Sequence, residues 1–180
     1  MLGPYTAGGL YVAEENLERL DVSWVGARAS TQIDMEAGTY SLWPDARRFE
    51  MGPFPWPMYF AMMEAAHYLE RLGLDAVEKQ TAQQARYLRA GLRDIPGVCI
   101  YSPENQELAT GIVAFGIQGL LGRDISQALR SRWNIITRPT FIRFNAVRVS
   151  VGFFTTQQEL DTLLEAVSTL AGDERDLAYE

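Results

Sequence analysis

The chain has 180 residues, of which 47% are hydrophobic and 22% charged, and a formal net charge of -7. That is enough chain for one domain with a sizeable core and an appended piece. The acidic balance supplies no basic footprint for phosphates, so no nucleic-acid partner is expected, and no apolar run approaches the roughly 20 residues of a membrane span.

Three scarcities narrow the chemistry. His67 is the one histidine, Cys99 the one cysteine and Lys79 the one lysine. A single cysteine excludes an internal disulfide framework and, with no signal-peptide pattern at the start, makes a reducing cytoplasm the expected compartment. A structural zinc site draws on several His and Cys side chains, so none is expected. A nucleophile–histidine dyad would have to use His67, which falls inside a predicted helix with no orienting group nearby. Any chemistry that needs a Schiff base has one side-chain amine to draw on.

In chain order, Gly8-Gly9 leads into a predicted short strand Leu10–Val12, followed by a brief helical pattern over Glu14–Leu20. Residues Asp21–Trp43 are poorly patterned and read as an extended loop. Gly52–Pro57 is dense in proline, and Pro57 suits the first turn of a helix running to about Leu72. Met58, Ala61, Met62, Ala65, Leu69 and Leu72 form one face of that helix, read as core packing, and His67 falls off it. Gly73 is its expected C-cap. A second helix is predicted from an Asp75 N-cap to about Arg93, with Val77, Thr81, Ala85, Leu88 and Leu92 as its apolar stripe. Lys79 lies about 200° round that helix from Val77 and faces solvent.

Pro96-Gly97 turns the chain into a strand Val98–Tyr101, where Cys99 reads as a small packed side chain or an inert thiol. A strand follows over Gly111–Ile117, then a helix over Arg123–Arg132 with Ile125, Ala128 and Leu129 inward, then a strand Trp133–Thr137. The stretch Phe141–Phe154 organises the rest. From Ala146 it places Val147, Val149 and Val151 on one face of a strand, and Arg148 and Ser150 on the other. A guanidinium stays charged, so Arg148 needs a partner: an ion pair at a sheet edge, or a bound carboxylate. Thr155–Glu159 offers overlapping capping boxes, and Leu160, Leu163, Leu164, Val167 and Leu170 then recur at helical spacing. The acidic tail from Gly172 is expected to fray. This order of elements predicts an α+β fold, a small mixed or antiparallel sheet with helices packed on one face.

Three segments carry a resemblance. LGPYTAGGLYV at Leu2–Val12, RRFEMGP at Arg47–Pro53 and VRVSVGFFTTQQELDTLLEAV at Val147–Val167, collinear and in this order, resemble the class V aminotransferase family. These are fold-type I pyridoxal-phosphate enzymes that include cysteine desulfurases, selenocysteine lyases and isopenicillin N epimerase-like proteins, the last being the branch this chain looks closest to. The resemblance implies that residues 1–50 are the C-terminal edge of a large domain, 51–171 a small C-terminal α+β domain, and 172–180 an acidic tail. It implies that Arg148 is the arginine that grips the substrate carboxylate, and that Arg138 is a second arginine at the mouth of the site.

The departures from the family point to an incomplete site. The family's Schiff-base lysine lies just upstream of the Leu-Gly-Pro segment, which here falls before Met1, and Lys79 on an outer helix face does not replace it. A threonine that reaches the cofactor phosphate is replaced by Pro53, which has neither hydroxyl nor N–H. The sulfur-accepting cysteine of desulfurases has no counterpart in Pro139–Phe144. The resemblance therefore implies a truncated chain, catalytically incomplete alone and without a cofactor of its own, in a parent family that uses pyridoxal phosphate. It would be one half of a split enzyme with a separately encoded large domain, or else a non-catalytic binding module that uses the retained arginine half-site. Trp24, Trp43, Phe54 and Trp56 would form uncovered apolar patches, so a homodimer is expected.

Overall fold

The structure, a computed structural model, describes residues 3–105, 107–140 and 145–178, with 174–178 as backbone only. The chain divides into two units, Met1–Arg71 and Leu72–Glu180, so the division falls at the end of the first long helix and places that helix with the N-terminal unit.

In the first unit Leu10–Val12 is irregular, not a strand. Leu10 and Tyr11 are exposed, and an extended segment becomes a strand only through hydrogen bonds to a neighbour. A 3₁₀ turn at Glu14–Arg19 buries Leu17. The expected loop Asp21–Trp43 holds a hairpin instead: β1, Ser30–Asp34, pairs antiparallel with β2, Thr39–Leu42. Its turn chemistry is local. Asp34 accepts from the backbone N–H groups of Glu36 (3.0 Å) and Ala37 (2.9 Å), and Gly38 takes φ +67°, the conformation that glycine adopts without steric cost. A second 3₁₀ turn, Ala46–Phe49, is capped by Asp45, which accepts the Arg47 N–H. The Arg47 side chain also forks onto Asp45, and these hydrogen bonds hold the Asp45 carboxyl down to about 2.

Helix α1, Trp56–Leu72, carries Pro57 in its first turn, as the sequence predicts. Its methionine face is not a core stripe, which corrects the sequence expectation. Leu69 alone is buried; Met62 and Ala65 are half-buried, and Met58 and Leu72 are exposed. His67 is exposed, with Nδ1 3.8 Å from the Glu64 carboxylate.

The second unit is built on a four-stranded antiparallel sheet in the order β3-β4-β6-β5. Its strands are β3 (Val98–Ile100), β4 (Ile112–Ile117), β5 (Arg138–Thr140) and β6 (Ala146–Ser150). Helices α2 (Leu74–Arg93), α3 (Gly122–Trp133) and α4 (Gln157–Ala178) cover one face. From the sheet, Val113, Phe115, Ile117 and Val147 enter the core. Ala85, Leu88 and Leu92 of α2 meet them there, as do Ile125 and Leu129 of α3 and the leucine stripe of α4. This is the α+β arrangement expected, with the strand alternation and the helical stripes facing each other.

Four local expectations change. Gly73, at φ +85°, caps the start of α2, and the helix begins at Leu74 rather than after Asp75. Helix α3 runs through Trp133 and closes on Asn134 in the left-handed region (φ 55°), with Asn134 N–H to Arg130 O and Ile135 N–H to Leu129 O. That closure occupies the first part of the strand expected over Trp133–Thr137, so β5 begins at Arg138. Cys99 is exposed, because Val98 and Ile100 take the core side of a three-residue strand and leave it on the other. Helix α4 continues through the acidic tail to Ala178.

The capping box at the start of α4 forms as its sequence predicts. Thr156 N–H donates to Glu159 Oε2 (2.7 Å), and Glu159 N–H donates to Thr156 Oγ1 (3.2 Å). The Thr156 backbone N–H holds the Glu159 carboxyl below its ordinary value. A lowered folded-state value means that the cap contributes fully above the unfolded carboxyl's pKa and is lost as pH falls through the folded one. Thr156→Ala should cost about 1 kcal/mol in urea unfolding at neutral pH. The difference from the parent should shrink in acid.

Candidate functional site

Arg148 sits in the middle of β6, an interior strand between β4 and β5. The neighbours Val147 and Val149 turn to the core, so Arg148 emerges on the face that the helices leave open, and it is exposed. In register, Arg148 stands opposite Ala114 of β4 on one side and Arg138 of β5 on the other. The two arginines singled out in the sequence are therefore direct cross-strand partners, a placement that brings Cβ atoms to about 5 Å. Like charges directly opposite destabilise a strand pair. Among the described residues neither guanidinium has a hydrogen bond or a carboxylate within 4.0 Å, so the edge ion pair is not formed.

The surrounding elements hold this pair in place. The Asn145 side chain accepts the Gly122 N–H (2.7 Å) and donates to Leu120 O (3.0 Å), which fixes the entry to β6 against the start of α3. Ser126 Oγ donates to Thr137 O (3.2 Å) and accepts from Thr137 Oγ1 (2.9 Å), which ties the entry of β5 to the same helix. Thr140 Oγ1 donates to Ala146 O across the strand pair (3.2 Å). The sequence reading missed Asn145, Ser126 and Gly122 as positioning residues. No local motif marks them, because their partners lie 11 to 25 positions away. Two adjacent planar forks on a solvent-accessible face suit a carboxylate, which each can engage through two parallel N–H bonds.

The other chemical candidates do not join them. Lys79 is exposed on α2, and α2 packs on the opposite face of the sheet. Cys99 shares the open face with Arg148, two strands away on β3. Of Pro139–Phe144, residues 141–144 lie outside the described residues. Pro53 belongs to the first unit, where a cavity of about 630 Å³ is lined by Gly8, Gly9, Arg28, Pro53, Phe54 and Trp56, among others. There the Arg28 guanidinium lies 4.6 Å from the Phe54 ring centre and 5.6 Å from that of Trp56. No group of three or more metal-ligating side chains occurs among the described residues, nor does any helix there have the length and apolarity to cross a membrane.

The family model for class-V aminotransferases matches residues 1–163. The chain is 30% identical over 176 residues to a probable cysteine desulfurase from Mycobacterium leprae, covering 93% of this chain and 42% of that protein. It is 27% identical to the isopenicillin N epimerase of Streptomyces clavuligerus, covering 96% of this chain and 45% of the relative. The fold matches that of a cysteine desulfurase from Thermococcus onnurineus with a TM-score of 0.80 at 24% identity, over 91% of this chain and 42% of that one. It also matches the C-DES protein with glycine covalently linked to its pyridoxal phosphate cofactor, with a TM-score of 0.79 at 25% identity, over 93% of this chain and 43% of that one. The chain thus spans less than half the length of these relatives. By sequence and by fold, it belongs to the class-V aminotransferase family.

Proposed function

We propose that this chain supplies the substrate-carboxylate half of a pyridoxal-phosphate-dependent site, the other half being supplied by a large domain outside these 180 residues. The observation that carries the reading is the in-register pair Arg138–Arg148, unpartnered among the described residues and exposed on the open sheet face. An anionic carboxylate placed between them relieves their mutual repulsion and gains charge-assisted hydrogen bonds from both forks. The residues present do not fit the cofactor itself. Its aldehyde requires an amine at the site, and the one lysine is on the far side of the sheet. The amine and the cofactor-holding surface are assigned to a large domain outside these 180 residues. A second copy of this chain covers the exposed aromatic residues of the first unit, among them Trp24 and Phe60.

The test is a titration of the labelled chain with L-alanine, followed by the arginine Nε–Hε resonances, with ethylamine as the carboxylate-free control. Saturable shifts at Arg148 and Arg138 are expected with L-alanine alone. Arg148→Gln should weaken binding at least about tenfold, since a hydrogen bond to a charged group contributes roughly 1.5–3 kcal/mol. Equal responses to both ligands would overturn the reading. A parallel pyridoxal phosphate titration should give no absorbance change beyond the part that Lys79→Arg abolishes, which reports only the exposed surface amine.

A further inference from the structure

A different arginine has the opposite problem. Arg89, one turn before the C-terminal end of α2, is only 8% exposed, and its Nη1 is buried with no hydrogen-bond partner among the described residues. A guanidinium cannot neutralise itself by losing a proton, and buried charge is ordinarily paired. Arg93 lies one turn further along the same helix face, a like-charge spacing that is unfavourable when empty. The one carboxylate among the described residues that line this region, that of Glu104, is taken up by Arg93 at 3.1 Å, with both side chains largely exposed. Between these groups is a cavity of about 190 Å³, walled by Val98, Ile100, Ser102 and Pro103. Val98, Ile100 and Pro103 supply its apolar lining.

We infer that this cavity at the margin of α2 and β3 binds a small phosphate-class oxyanion, held by Arg89 from within and by Arg93 at the rim. A tetrahedral anion presents oxygens in several directions, so one can meet the Arg89 guanidinium, which lines the cavity, while another meets Arg93. A planar carboxylate has only two oxygens in one plane. Glu104 occupies Arg93 in the empty state and is displaced on binding, which leaves two guanidinium charges facing one dianion. The site lies on the helix-covered side of the sheet and is separate from the Arg138–Arg148 pair, so it neither depends on that pair nor supports it. The ligand is free phosphate or the phosphoryl end of a larger molecule; the chemistry of the grip is the same.

The experiment is thermal unfolding of the full chain in increasing inorganic phosphate, with sodium chloride holding ionic strength constant and methyl phosphate as a second probe. The expected result is a saturable rise in Tm with phosphate, kept in Arg148→Gln and absent in Arg89→Met, which retains the apolar stem but no charge. In phosphate-free buffer Arg89→Met should melt no lower than the parent, because an apolar isostere replaces an uncompensated charge. Glu104→Gln should tighten phosphate binding roughly threefold, by removing the exposed competitor. Methyl phosphate matching inorganic phosphate identifies a phosphoryl group on a larger molecule, and inorganic phosphate alone acting identifies the free ion. A Tm rise that persists in Arg89→Met, or that chloride reproduces, overturns the site. Should Arg89→Met not fold, an Arg89 Nε–Hε resonance that phosphate leaves unmoved in the parent chain overturns it equally.

Discussion

Phe115→Ala is expected to lower the stability of the second unit by about 3–5 kcal/mol, the usual cost of emptying a large aromatic site in a packed core. Phe115 is fully buried and heads the fully buried side chains by volume. On β4 it is paired with Ile100 of β3 and Val147 of β6, so it stands at the centre of the sheet under all three helices. The cost has two parts, the lost transfer of the ring from water and the cavity left where β-strand neighbours on both sides hinder collapse. Urea unfolding should show a lower midpoint with an unchanged slope, the signature of a stability change without a change in exposed surface. A loss under about 1 kcal/mol would mean that the helices close over the gap and that the core is not organised on this ring. Lys79→Ala on the solvent face of α2 is the control, expected within about 0.5 kcal/mol of the parent.

What the sequence made legible was local. The stripes of α2 and α4 face the core because apolar residues at helical spacing have few other uses, and Thr156–Glu159 formed its reciprocal cap because both partners lie within one turn. Arg148 stood out because strict alternation around it left one face for charge. Its relation to Arg138 is not legible there, since strand register is a long-range property and the local pattern predicts a strand over Trp133–Thr137, just short of Arg138. The β1–β2 hairpin was missed for another reason. Its strands are largely exposed on both faces, so no apolar alternation marks them, and only Asp34 and Gly38 signalled the turn. The methionine face of α1 shows the converse limit. A stripe tells which side chains share a face, but not whether this chain supplies the surface that covers it. Arg89 combines both failures: its burial depends on β3 and the loop after it, and nothing about its neighbours in α2 announces it.

Gly122→Ala should couple the core to the arginine pair. Gly122 opens α3, and a Cβ built on it would overlap the carbonyl oxygen of Ala146 and lie 2.7 Å from the carbonyl carbon. The obstacle is backbone of β6, held in a sheet between β4 and β5, so it cannot rotate away as a side chain would. The helix start must lift instead. That strains the Gly122 N–H to Asn145 Oδ1 hydrogen bond and pulls Ile125 and Leu129 from the core. Overpacking of this kind costs about 1–3 kcal/mol, and backbone resistance places the expected loss at the upper end of that range. Ala146 is two residues before Arg148, and Asn145 sets where that strand begins, so the shift reaches the register of Arg148 against Arg138. Gly122→Ala should therefore weaken L-alanine binding as well as lower the unfolding midpoint. Thr156→Ala, of smaller cost and remote from β5, should leave binding unchanged. If both variants bind as the parent does, the Asn145–Gly122 clamp stabilises the fold without setting the position of Arg148.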